Sequence, residues 1–106
     1  MKFALHTLQL ASRESLLPDH ASALRAQGGQ LVDIRPVEDF RQGSLPGARN
    51  LPLEALGHDH RHLDRKAAVI LCGNRSVTGI RAARLLAGRG FGQICFLKLP
   101  PRAGTA

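Results

Sequence analysis

The apolar positions of the chain fall into three dense runs, and between them lie stretches with the looser spacing of helices. The densest run is AAVILC, residues 67–72, which has no polar alternation and predicts a strand buried on both faces of a parallel sheet. QLVDIR, residues 30–35, is a β-rich run closed by Pro36, and QICFLKL, residues 93–99, predicts another strand. Residues 12–27 have helical spacing, with Leu16, Leu17, Ala21, Leu24 and Arg25 within reach of one another. Pro18-Asp19 marks a break or a fresh start there, and Gly28-Gly29 a stop. Residues 36–43 allow one or two helical turns ending at Gly43, and residues 50–56 a very short strand and helix. Pro46-Gly47 has the chemistry of a type II turn, with the glycine at positive φ. After the AAVILC run, a helix is expected to continue to about Arg89, capped by Ser76 or Thr78 and ended by Gly90. Its spacing puts Ile80, Ala83 and Ala87 on one face and Arg81 and Arg84 on the other.

Strands alternating with helices over short connections predict an α/β domain with a mostly parallel sheet. At 106 residues the chain has the size of one domain. In such sheets, ligands bind beyond the carboxyl ends of the strands. Cys72 closes the AAVILC run at such an end.

A cysteine reacts as its thiolate, so a nucleophilic one needs its pKa lowered. The stretch after Cys72 offers means to do so. Amides of a strand-to-helix turn, with the positive end of the helix dipole, make an anion cradle. Gly73 permits a tight turn, Arg75 adds a full charge, and residues 73–79 contain no Asp or Glu. Asn74, Ser76, Val77 and Thr78 complete the candidate loop. The competing reading is a small, inert core thiol, the commonest fate of a free cysteine at a strand end. No histidine lies nearby in sequence to act as a base, which counts against acyl transfer. Cys95, between Ile94 and Phe96, reads as core packing.

Composition changes this picture at a few points. Fifteen Lys and Arg against eight Asp and Glu give a formal charge of +7, enough to concentrate small anions or to hold nucleic acid loosely. Tyr and Trp are absent and the arginines are scattered, so no specific nucleic-acid binding is expected. Two cysteines are far fewer than a small secreted scaffold carries, and His6 and Gln9 interrupt the apolar start, so the expected location is cytoplasmic. No apolar run is long enough to span a membrane. His58, His60 and His62 alternate and would align for zinc if that segment were extended, but a polar surface loop is the preferred reading, with no metal and no cofactor.

LVDIRPVEDFRQGSLPGARNLP and VILCGNRS together resemble the rhodanese-like sulfurtransferase domain. The residues carrying the resemblance are Asp33, Arg35, Glu38 or Asp39, Phe40, Gly43, Leu45, Pro46, Gly47, Ala48 and Asn50, with Cys72 in the nucleophile's place. They run over about residues 30–91. The resemblance implies a rhodanese-like, doubly wound α/β domain of about five mostly parallel strands with helices on both faces. Residues 1–106 are expected to form this single domain, with an N-terminal strand and helix region at 1–29 and a tail at 98–106 expected to be disordered. The resemblance also implies a cysteine that takes sulfane sulfur from a thiosulfate-like anion as a persulfide and passes it to cyanide or a thiol, with the loop amides holding the persulfide.

Asp33, Arg35 and Arg49 are the supporting candidates. Asp33 and Arg35 alternate along a strand and are expected to face opposite ways. Asp33 either accepts loop N–H bonds beside the cysteine, with Arg35 pairing nearby, or makes an ordinary ion pair at the strand end, the favoured reading. Arg49 is a candidate to reach an anion in the site.

Three departures from the family pattern qualify these expectations. Arg75-Ser76 stands two residues closer to the cysteine than in Cys-x-x-Gly-x-Arg-Ser, while the distance from Cys72 to Gly90-Phe91 is about one residue longer. The loop is therefore expected to be Cys72 to Thr78. Phosphatases and arsenate reductases use such longer loops, with arginine where this chain has Thr78. Ser44 replaces the histidine common before the Pro-Gly turn. LKLPPRAGTA lacks the Gly-Gly and tryptophan of the family's C-terminal helix, so that helix is expected to be missing, and a homodimer is one way to cover the sheet face this would expose. A thiosulfate sulfurtransferase is the leading expectation, a weak or inactive rhodanese-like binding or sensing module the second, and a phosphatase or arsenate-reductase type the third.

Overall fold

The computed structural model describes residues 15, 16, 18–72 and 77–97, with burial resolved from Ala21 onward. Among the described residues, five strands form one sheet: β1 (Ser15–Leu16), β2 (Gln30–Asp33), β3 (Arg49–Asn50), β4 (Val69–Cys72) and β5 (Ile94–Leu97). Their order is β1-β5-β4-β2-β3, and every pairing is parallel. The helices are α1 (Pro18–Ala26), α2 (Val37–Gln42), α3 (Leu53–Asp59) and α4 (Val77–Gly88), with one 3₁₀ turn at His60–His62. The chain steps from β2 outward to β3, then crosses back to β4 and on to β5. The winding therefore reverses between β2 and β4, and their carboxyl ends flank the crevice in which α/β sheets bind ligands.

The apolar runs explain the two layers against the sheet. On one side α3 and α4 bury Leu56 and Leu86 over Val32, Val69, Leu71 and Phe96. Leu56 and Leu86 have no exposed surface at all. On the other side Ala21 and Leu24 of α1, with Leu45 and Ala48, cover Leu31, Ile70, Cys72 and Leu97. Helix α2 buries none of its residues.

Local chemistry accounts for the main boundaries. Proline has no amide to lose at a helix's first position, so α1 begins at Pro18. The expected span 12–27 is thus shortened, and Leu16 belongs to β1. Gly28 (φ 100°) ends α1 by donating to Arg25 O at 2.9 Å. Leu45 to Ala48 form the expected turn, closed by Ala48 N–H to Leu45 O at 3.0 Å, with Gly47 at φ 83°.

Other expectations are corrected. Strand β2 stops at Asp33 because the Arg35 amide bonds to the Asp33 Oδ1 at 3.0 Å instead of continuing the ladder. Thr78 is the second residue of α4 and so cannot cap it. The buried stripe of α4 is Gly79, Ala82, Ala83 and Leu86, and Ala87 is exposed, while Arg81 and Arg84 face solvent as expected. Ser76, the region 98–106 and any C-terminal helix lie outside the described residues. No described helix is long and apolar enough to cross a membrane.

Candidate functional site

Parallel pairing of β2 with β4 sets Asp33 directly beside Cys72, at the last position of each strand. Cross-strand partners in a parallel sheet point to the same face, so the carboxylate and the thiol share the α1 side. Cys72 is 4% exposed and packs with Ala21, Leu31, Ile70 and Leu97. Asp33 is fully buried, the one buried charged residue among those described.

A buried carboxylate must have its oxygens satisfied. Arg35 donates to Asp33 through its backbone amide at 3.0 Å, through Nε at 3.0 and 3.2 Å, and through Nη2 at 2.8 Å. Ser44 Oγ adds a bond at 2.7 Å. Arg35 Nη2 also donates to Gly43 O at 2.7 Å, which ties the α2–β3 connection to the strand end. The expectation that Asp33 and Arg35 face opposite ways is corrected. The chain leaves the strand after Asp33, which lets Arg35 fold back over it. Ser44, standing where the family pattern has histidine, is a partner of the buried acid. Asn50 Nδ2 completes the clamp, donating to Asp33 O and Arg35 O, both at 2.9 Å.

The electrostatics are finely divided. Burial pushes the Asp33 carboxyl up, but hydrogen bonds from the Arg35 and Ser44 side chains and the Arg35 amide, with the Arg35 charge, hold it below its ordinary value. Burial, helped by the Asp33 charge, pushes the Cys72 thiol up to about 12, while Arg35 and Arg25 pull it down. Burial alone raises Cys95 to about 11. A disulfide between the two is ruled out by register. Cys95 pairs with Ile70, two positions before Cys72 on the adjacent strand, so their Cα atoms stand roughly 8 Å apart, beyond bridging reach. Both are free thiols.

Of the candidate loop, Gly73, Asn74, Arg75 and Ser76 lie outside the described residues. Val77 and Thr78 open α4, and Val77 stands 73% exposed at the edge of the site. Arg49 is exposed and donates to His62 O at 2.9 Å, which ties β3 to the segment leading back to β4. His58, His60 and His62 sit on α3 and the 3₁₀ turn, so they lack the strand-like alternation that would line them up. His58 contacts Asp59 and Arg61, and His60 contacts the Leu56 carbonyl and the edge of Phe91. Among the described residues no three potential ligands gather round a metal position.

Arg25 is the site residue that sequence reading missed. From the last turn of α1 its Nη1 reaches Pro46 O at 3.0 Å. Nothing local signals this contact, because its partner is 21 residues away.

The Rhodanese-like domain family model matches residues 17–99. Among curated relatives, a thiosulfate sulfurtransferase GlpE of Ectopseudomonas mendocina is 34% identical over 77 residues, 73% of this chain and 71% of that protein. A tRNA 2-selenouridine synthase of Cronobacter sakazakii is 42% identical over 78 residues, 67% of this chain, which spans only 20% of that longer protein. A rhodanese-related protein of Thermoplasma volcanium superposes with a TM-score of 0.67 at 16% identity, covering 85% of this chain and 88% of its own. The human single-domain sulfurtransferase TSTD1 gives 0.62 at 18% identity, covering 78% and 87%. By the match to the family model and the likeness to the curated GlpE relative, the chain belongs to the rhodanese-like domain family.

Proposed function

We propose that the protein is a thiosulfate-type sulfurtransferase with Cys72 as its nucleophile and sulfur carrier. The Cys72 thiolate attacks the outer sulfur of thiosulfate. A new S–S bond forms, the sulfur–sulfur bond of thiosulfate breaks, and sulfite leaves with the bonding electron pair. The resulting Cys72 persulfide gives its outer sulfur to cyanide as thiocyanate, or to a thiolate as a new persulfide, and Cys72 returns as thiolate. Charge and electrons balance in both steps with no further oxidant. The amides of residues 73–78 are assigned to holding the persulfide, and Arg75 to attracting the donor.

The observation that supports this reading best is the placement of Cys72 at the switch point, side by side with an arginine-neutralised carboxylate. Similarity to the GlpE relative supports the thiosulfate donor. Cys72→Ser is expected to abolish thiosulfate-dependent thiocyanate formation, at least 1,000-fold by loss of the attacking group. Retained turnover in the folded variant refutes the proposal. One observation favours a second reading, a binding module with little turnover: the thiol is 4% exposed and lies beside the buried Asp33, both of which oppose its ionisation. Mass spectrometry after thiosulfate treatment separates the two, since a carrier gains one sulfur on Cys72 and a pure binding module does not.

A further inference from the structure

The charges around Cys72 do not contribute equally. Arg35 lies nearer the strand end, but its guanidinium is spent on Asp33 in a two-pronged pair, so together they present little net charge to an incoming anion. Arg25 differs. It forms no ion pair with any described residue. Its anchor is a neutral carbonyl, Pro46 O at 3.0 Å. The two elements it bridges are the two that cover Cys72: α1 through Ala21 and Leu24, and the Pro-Gly turn through Leu45 and Ala48. The Arg25 guanidinium lies directly against the Gly47 backbone, where a Cβ would meet it.

From this placement we propose that Arg25 is a specificity-determining residue of the Cys72 site. Hooked on the Pro46 carbonyl, its unpaired positive charge selects anionic sulfur donors over neutral ones. The role deepens the sulfurtransferase reading and rests on it for the identity of the donor. The charge itself is a property of the site whatever the reaction. The same guanidinium acts on the thiolate, and with Arg35 it opposes the rise that burial and Asp33 impose.

A pair of alkylating agents of similar size tests this without any turnover. Iodoacetate is an anion and iodoacetamide is neutral, and peptide mapping reports their rates at Cys72 separately from Cys95. The ratio of the two rates at fixed pH isolates charge from accessibility. In Arg25→Gln the iodoacetate-to-iodoacetamide ratio is expected to fall on the order of threefold at low salt, the scale of one partly screened charge within a Debye length. Arg25→Lys keeps the charge and is expected to restore most of the ratio. Arg25 is exposed, so both variants are expected to fold, and a thermal melt verifies it. The KM for thiosulfate is expected to rise in Arg25→Gln with a smaller change in kcat. An unchanged ratio in folded Arg25→Gln overturns the proposal, as does a fall that Arg25→Lys does not reverse. If wild type forms no thiocyanate yet the ratio falls and recovers as described, the sulfurtransferase reading fails while Arg25's role stands.

Discussion

The two faces of the sheet are built from the same short strands but to different ends. The face under α3 and α4 is apolar throughout, with Leu56, Leu71, Leu86 and Phe96 sealed from water. The opposite face, under α1 and the Pro-Gly turn, has a smaller apolar cluster that includes Cys72, and beside that thiol lies the buried Asp33. Burying a carboxylate costs several kcal/mol unless it is fully paired, and here a hydroxyl and three kinds of donor on one arginine offset that cost. One face supplies stability, which lets the other hold a charged cluster that contributes little to it.

The contrast can be broken from either side. Leu86→Ala on α4 empties part of the apolar face and is expected to cost about 2–5 kcal/mol by urea unfolding. The activity per folded molecule is expected to stay unchanged, and a loss of turnover larger than the loss of folded protein would show that the faces are not separable. Asp33→Asn on the chemical face is expected to cost about 2 kcal/mol, since the Arg35 guanidinium loses its counter-charge and the Arg35 and Ser44 bonds weaken. It also removes the negative charge that raises the thiol, so Cys72 alkylation at pH 8 is expected to speed up even as stability falls. A slower reaction would mean that Asp33 acts on Cys72 mainly by positioning it.

The smallest expected effect is a pH dependence shared by the faces. A thiol whose folded pKa is raised, from 9.0 to about 12 at Cys72, stabilises the fold fully below pH 9. That contribution is lost as pH rises from 9 towards 12, because the unfolded chain ionises first. Cys95, raised to about 11, adds to the same decline. Thermal midpoints are expected to fall across this window, and less steeply in Cys72→Ser. Asp33 has the opposite sign: its folded pKa is lowered, so its contribution is present above 3.8 and lost as the pH falls through the folded value.

Much of this was legible in the chain. Uninterrupted apolar runs identify β4 and β5 because strands buried on both faces need no alternation. Pro46-Gly47 identifies its turn because only a positive φ closes it cheaply. Other features were hidden for a physical reason. The reversal of Arg35 onto Asp33 depends on a two-residue turn that outcompetes the next ladder bond, and periodicity assumes that the ladder continues. The exposure of Ala87 follows from where α4 sits on the sheet, which no helical wheel fixes. Arg25's place required knowing that residues far apart in sequence cover the same cysteine.

The Asn50 amide, bonded to the carbonyls of Asp33 and Arg35, acts as a splice between an edge strand of two residues and its neighbour. It holds in place the backbone segment whose side chains pair across the acid, so the geometry of the charge pair depends on a residue that carries no charge. A sequence could keep Asp33, Arg35 and Cys72 and still lose the alignment of all three through a change at this amide.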